Sequence, residues 1–160
     1  MVSNTSPITN LAAIGRLYLL GDLFKSITIA QGVWDELNAN GNPWPGSREV
    51  SAAPWIVQRT PTNAPLVAAL RGYLDRGEAE TIALAVELKA ELVILDERDG
   101  RHAAQAHGLR IMGAVGVLIQ AKRRGLIPAL RPELDALRNR AGFYLGQGVY
   151  FKALETAGET

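Results

Sequence analysis

Apolar and polar positions along the chain follow two different periods. Five short apolar or β-branched runs predict strands, at residues 1–3, 26–30, 55–59, 92–95 and 110–112. Between these runs, apolar residues recur with the three- and four-residue spacing of amphipathic helices. Strands that alternate with helices favour a parallel sheet covered on both faces. We therefore predict one α/β domain over residues 1–160, a three-layer α/β/α sandwich with a four- or five-stranded, mostly parallel sheet.

Cap and turn residues predict several element boundaries. Ser6 followed by Pro7 predicts a helix N-cap and a first helical position. The Gly, Pro and Asn content of residues 40–54 predicts an exposed loop, and residues 75–77 fit a turn before the next helix. Residues 143–157 fit a strand or a helix equally well.

Composition narrows the class of protein. Hydrophobic residues make up 48% and charged residues 21% of 160 residues, as in soluble globular domains. The absence of Cys excludes a disulfide framework and a thiolate metal site, and it fits a cytoplasmic protein. We expect no leader and no membrane partner, because residues 4–7 are polar and no apolar run approaches the roughly 20 residues that span a bilayer.

The net charge of +1 says little about partners, but the charge is unevenly distributed. Acidic residues concentrate in the middle of the chain and basic residues in its last third. The basic residues form a candidate phosphate-binding patch, which comprises Lys122, Arg123, Arg124, Arg131, Arg138 and Arg140.

An acidic residue closes the most apolar predicted strand. Asp96 directly follows residues 92–95, which are apolar on both faces and are therefore expected to lie centrally in the sheet. Ligands of open parallel sheets bind beyond the carboxyl ends of the strands, so Asp96 is a candidate functional residue. The alternative is that Asp96 only caps the next helix.

Three further acids lie on predicted helices. Glu78 shares a stripe with Ile82 and should face the sheet, whereas Glu80, about 200° further round, should be more exposed to solvent. Both acids could instead simply favour the positive helix N-terminus. Glu36 follows the second strand, and its alternative is a solvated surface pair with Asp35.

Together, Asn4, Glu36, Glu78 and Asp96 could bring oxygen ligands to one edge of the sheet. Hard cations such as Mg²⁺ or Mn²⁺ prefer such ligands. A cation would relieve the repulsion between the carboxylates, polarise a phosphodiester and activate water. We therefore predict a metal site that contains these four residues.

Four motifs, in this order, resemble the PIN domain family, and most closely its VapC-like branch with its nucleic-acid-binding relatives. They are V-S-N-T-S-P-I from residue 2, V-W-D-E-L from 33, G-E-A-E-T-I-A-L-A from 77 and L-V-I-L-D-E-R from 92. The resemblance implies an endoribonuclease dependent on Mg²⁺ or Mn²⁺ that cleaves single-stranded RNA. It also implies the toxin of a toxin–antitoxin pair, with an antitoxin protein as partner, and a homodimer.

Carried over by position, the family's acids fall on Glu36, Glu78 and Asp96, and Ser6 matches the small polar residue that orients water or substrate. The chain departs from the family at Asn4, where Asp is usual. A neutral amide is a weaker ligand and cannot accept a proton. Reduced or lost cleavage is therefore expected, and Asp99 could partly compensate, although a surface charge is its simpler interpretation.

Two alternatives follow from the same residues. The first is a PIN-fold module that binds RNA or an antitoxin without cleaving, which Asn4 favours. The second is an unrelated doubly wound domain such as a phospho-accepting receiver. That class is disfavoured because no acid pair closes the first strand, which ends in Ser3 and Asn4.

Overall fold

The computed structural model describes residues 1–39 and 44–160. In these residues the strands are β1 Val2–Ser3, β2 Ile27–Ala30, β3 Ile56–Arg59, β4 Val93–Ile94 and β5 Ile111–Met112. They form a sheet in the order β3-β2-β1-β4-β5, and every neighbouring pair is parallel. The predicted parallel sheet is confirmed, and it has five strands.

Ten helices surround the sheet within the described ranges. In chain order they are α1 Thr5–Ala13, α2 Tyr18–Phe24, α3 Gln31–Leu37, α4 Ser47–Ala52, α5 Ala64–Leu70, α6 Arg76–Glu87, α7 Arg98–Ala106, α8 Ala114–Arg123, α9 Arg131–Asn139 and α10 Gln147–Thr156. None of them is long and apolar enough to cross a membrane.

The helices form two layers, each packed around one central helix. Helix α6 contacts α3, α5, α7 and three strands, whereas α8 contacts α1, α2 and α10. All residues from Gly77 to Ala85 of α6 are buried. The apolar residues of both layers form one continuous core with β1, β2 and β4. The predicted α/β/α sandwich is therefore confirmed.

The predicted cap at Ser6 is wrong. Helix α1 begins at Thr5, and Asn4 occupies the N-cap position with an extended backbone (φ −81°, ψ 175°). Ser6 and Pro7 lie within the first turn. The Asn4 side chain makes no capping hydrogen bond, and the helix starts immediately after the strand because the chain leaves β1 at Asn4.

The predicted exposed loop over residues 40–54 is partly wrong. Residues 40–43 lie outside the described residues, but Ser47–Ala52 form α4, which buries Ser47 and Val50. A six-residue helix with two inward-facing residues leaves only a weak apolar period, so the sequence pattern did not predict it. The predicted turn at residues 75–77 is also the start of α6, with Asp75 as its N-cap.

The strand order reverses between β1 and β4, and the carboxyl ends of these strands border a candidate crevice. From β1, the chain adds β2 and β3 on one side and β4 and β5 on the other. In open parallel sheets, ligands bind beyond the carboxyl ends of strands where the order reverses in this way. The Asn4 N–H donates to the Ile94 carbonyl at 2.9 Å, which holds the two strand ends side by side.

Candidate metal centre

Asn4 and Asp96 follow the two strands that border this crevice. Only 3% of Asn4 is exposed, and its Oδ1 atom is buried. Asp96 accepts a hydrogen bond from the Ala114 N–H at Oδ1 (2.9 Å), whereas its Oδ2 atom is buried. Neither Asn4 Oδ1 nor Asp96 Oδ2 accepts a hydrogen bond within residues 1–39 and 44–160, although the Asn10 side chain lies near enough to Asp96 to lower its pKa. Buried acceptors of this kind are rare, and a bound cation would satisfy both.

Burial affects the protonation of Asp96. It raises the pKa of the carboxyl group above its ordinary value, while the Ala114 hydrogen bond and the positive charge of Arg101 act in the opposite direction. The nearby charge of Glu97 adds to the increase. Burial therefore disfavours the charged form of Asp96, and additional positive charge beside it would favour that form.

Glu78 lies at the start of α6, where it forms a capping box with Asp75. The Glu78 N–H donates to Asp75 Oδ1 at 2.8 Å, and Glu78 Oε2 accepts the Asp75 N–H at 3.2 Å. This capping box stabilises the start of α6 and explains why an acid occurs at this position. It does not compensate the negative charge of Glu78. Burial first, and then the carboxylates of Asp75 and Glu97, raise the pKa of Glu78 to about 7.

Glu36 links the first turn of α1 to the first turn of α6. The Thr5 hydroxyl donates to Glu36 Oε2 at 2.5 Å, and the Gly77 N–H donates to Oε1 at 3.1 Å. Burial raises the pKa of Glu36, these two hydrogen bonds oppose the increase, and the charges of Asp75 and Glu97 add to it. Helix α3 thereby places Glu36 beside Thr5, which follows Asn4, and beside Gly77, which precedes Glu78.

Glu97 and Asp75 are the acids that sequence reasoning missed. Oxygen atoms of Asp75, Glu78 and Glu97 all lie within 4.8 Å of one another. Glu97 is also oriented by Ser6, whose hydroxyl donates to Glu97 Oε1 at 2.5 Å. The sequence held two signals for these residues: the consecutive acids after β4, and the D-x-x-E spacing of a capping box.

The four predicted ligands share this edge of the sheet but are not one compact cluster. In the described part of the chain, Glu78 groups with Asp75 and Glu97, not with Glu36 and Asp96. Hydrogen bonds through Thr5, Gly77 and Ser6 connect the rest. The structure thus places all five predicted site residues at the crevice, while their role as ligands stays a prediction.

The predicted difference in exposure between Glu80 and Glu78 is very small. Glu80 is 7% exposed and Glu78 is 5% exposed, so both side chains are buried. Helices α3, α5 and α7 all contact α6, so the side of α6 that carries Glu80 is covered as well. Glu80 faces Gly32 of α3 and lies 3.3 Å from the Arg76 guanidinium. Asp99, in contrast, is exposed in the first turn of α7 and does not join the acidic group.

Several members of the predicted basic patch make hydrogen bonds and ion pairs within the protein. Helix α8 starts beside Asp96 and runs toward the amino ends of the strands, where Arg124 donates to the Leu23 carbonyl at 3.3 Å. Other members bind the end of the chain: Arg131 donates to the Thr160 carbonyl at 2.7 Å, and Lys122 pairs with Glu159 at 3.3 Å. These contacts give Arg124, Arg131 and Lys122 structural roles.

The donor set at the crevice suits a hard divalent cation. It consists of carboxylates and one amide oxygen, without sulfur or imidazole. Two buried oxygens accept no hydrogen bond from residues 1–39 and 44–160, and the pKa of Glu78 is raised to about 7, as expected for crowded carboxylates without a neutralising charge. The residues present therefore fit a metal centre.

The chain belongs to the PIN domain family, whose family model DUF3368 matches residues 1–159. PIN domains are generally metal-dependent nucleases, which agrees with an acidic cluster at the carboxyl edge of the sheet. The match does not identify the VapC-like branch. Searches among curated proteins and among solved structures give no match.

Proposed function

We propose that this PIN domain is an endoribonuclease that cleaves single-stranded RNA with Mg²⁺ or Mn²⁺, as a VapC-like toxin would. One observation carries the proposal: in the described part of the chain, the buried oxygens of Asn4 and Asp96 accept no hydrogen bond where the strand order reverses, next to a cluster of three carboxylates. A cation at this position would satisfy these oxygens and offset the repulsion.

In this proposal Asp96, Glu78 and Glu36 hold the cation, with the Asn4 amide oxygen as a weaker fourth ligand. Glu97 is close enough to Glu78 to share it. When bound, the cation would polarise the phosphodiester and lower the pKa of an attacking water. Ser6 fixes the Glu97 carboxylate through its hydroxyl, and the Thr5 hydroxyl and Gly77 N–H fix that of Glu36.

Cleavage of RNA in the presence of Mn²⁺ tests the proposal. The wild type should cut a single-stranded oligonucleotide. Asn4→Asp should cut it faster, because a fourth carboxylate binds the cation more strongly. Glu78→Gln should lose on the order of 100-fold in kcat, or about 3 kcal/mol of transition-state stabilisation. If the wild type and Asn4→Asp are both folded and neither cuts RNA, the enzyme proposal is wrong.

A second candidate function is binding without cleavage, which the neutral amide of Asn4 favours. Such a module would keep the crevice and bind RNA or an antitoxin protein. Calorimetry with Mn²⁺ separates the two candidates. If the wild type binds Mn²⁺ and Asn4→Asp binds it with higher affinity, the enzyme is supported. If no binding is detected at millimolar Mn²⁺, the binding module is supported.

The partners implied by the VapC-like resemblance, an antitoxin protein and a second copy of the chain, belong to the same proposal. So does a cytoplasmic location. Sedimentation of the purified chain measures the dimer directly. A monomer at tens of micromolar would remove the homodimer from the proposal without affecting the nuclease.

A further inference from the structure

A groove of about 590 Å³ opens directly beside the acidic centre. Asp96 and Arg101 lie at one end, and the segment that leads into α10 forms the other end. We call it the Tyr144 groove, and its principal lining residues are Asp96, Arg101, Gly113, Phe143, Tyr144 and Val149. Because Asp96 belongs to both, the groove is continuous with the proposed metal centre.

Glycine keeps the floor of the groove open. A Cβ atom at Gly113 would clash with Asp96 Oδ1 and would lie 3.2 Å from Arg101 Nη1. Both charged groups therefore face the same small space beneath the start of α8. Any larger side chain at residue 113 would separate Asp96 from the groove.

The far wall presents aromatic surface on a well-anchored backbone. Tyr144 is 92% exposed, the highest value among the large hydrophobic side chains in the described ranges. Its neighbours are held firmly: the Phe143 N–H donates to the Leu137 carbonyl at 2.9 Å, and Arg138 donates twice to the Leu145 carbonyl. An exposed ring on a fixed segment loses little entropy when a flat ligand stacks on it.

Arg101 supplies the charge that a phosphate requires. Across residues 1–39 and 44–160, no carboxylate lies within 4.0 Å of its guanidinium, in contrast to Arg16 and Arg76. Arg101 comes from α7, whereas the aromatic wall comes from the segment before α10. The groove thus joins a metal-binding acid, a cation and an aromatic surface in one continuous path.

We propose that the Tyr144 groove binds a nucleotide next to the scissile phosphate of single-stranded RNA. The base stacks on Tyr144, and the backbone phosphate contacts Arg101. This inference rests on the proposed nuclease function. A nucleotide suits the groove better than an apolar peptide. The positive charge of Arg101 and the acidic centre both lie along the path that a phosphate backbone would take. Stacking tolerates any base, so the groove contributes affinity more than sequence preference.

Cleavage kinetics on an oligoadenylate test the proposal. Tyr144→Ala should raise KM about tenfold with little change in kcat, since one base loses its stacking partner. Tyr144→Phe keeps the ring and should retain the wild-type KM. Arg101→Gln should raise KM and reduce the salt dependence of RNA binding by about one phosphate contact. Tyr18→Ala is the matched control, because Tyr18 is 45% exposed and lies beside Trp55 at the amino ends of the strands.

The outcomes distinguish this inference from the nuclease proposal. If the wild type cuts RNA and Tyr144→Ala has the same KM as Tyr18→Ala, the groove does not bind nucleotide, and the nuclease proposal stands. If Tyr144→Ala loses binding of a protein partner and leaves the RNA kinetics unchanged, the groove is a protein-docking surface. If the wild type neither cuts nor binds RNA, the nuclease proposal fails and this inference with it.

Discussion

Glu78 shows at the scale of a single residue how the centre depends on its surroundings. Its pKa of about 7 lies above the ordinary 4.5 because burial and the charges of Asp75 and Glu97 favour the protonated form. Between these pH values the folded chain holds more protons than the unfolded chain. The free energy of unfolding of the metal-free protein should therefore fall as pH rises from about 4.5 to about 7.

Substitution isolates this contribution. Glu78→Gln should flatten the decrease and stabilise the metal-free protein at neutral pH, because Gln keeps the hydrogen bond from the Asp75 N–H without the charge. Urea unfolding at several pH values measures the effect. Glu155→Gln is the control, since that side chain is 74% exposed. An unchanged slope for Glu78→Gln would show that Glu78 is not the group that titrates.

At the scale of the element, the first turn of α6 determines where Glu36 lies. A Cβ atom at Gly77 would clash with the Glu36 carboxyl group, whose carbon lies 2.9 Å from that position. The carboxylate is the end of a flexible chain, so it can move aside, and Ala favours a helix over Gly. Gly77→Ala should therefore fold normally but bind Mn²⁺ about 10–100-fold more weakly. This is the usual effect of removing a contact that orients a metal ligand, here Glu36.

A matched control exists in α10. Gly148 occupies the same second helical position as Gly77, but a Cβ atom there would meet nothing within 4 Å. Gly148→Ala should leave Mn²⁺ affinity unchanged in calorimetry. Equal affinities for the two variants would contradict the proposed positioning of Glu36 through Gly77.

At the scale of the whole molecule, a cation at the crevice should stabilise the fold, because its ligands come from β1, α3, α6 and the end of β4. Binding that requires the folded chain adds about 2.7 kcal/mol at 100 times Kd. This corresponds to roughly 5–10 °C in Tm for a chain of this size. Thermal unfolding with and without Mn²⁺ at pH 7.5 measures it.

The increase in Tm on adding Mn²⁺ should be smaller in Glu78→Gln. It should also be smaller at pH 6, where protonation of Glu78 competes with the cation. Glu155→Gln should shift like the wild type. A Tm increase of equal size in Glu78→Gln would place the cation elsewhere on the molecule.

The local pattern of the sequence determined the elements and the residues at their ends. Apolar runs and helical periods suffice for five parallel strands, because both signals arise within ten or so residues. They also placed Asn4 and Asp96 at strand ends and Glu36 and Glu78 on helices. The short helix α4 was not predicted from the sequence, because its burial depends on contacts with distant residues. Only Ser47 and Val50 of this helix face inward.

Only the tertiary structure decided which acids meet. Helical geometry predicted that Glu80 is more exposed than Glu78, yet all residues from Gly77 to Ala85 are buried, and the two acids differ little in exposure. Glu97 joins Asp75 and Glu78 because α6 and the end of β4 converge, although about twenty residues separate Glu97 from these two acids in the chain. Sequence pattern records the direction of a side chain relative to its own element. The distance between two carboxylates depends on how the elements pack, and no local period contains that information.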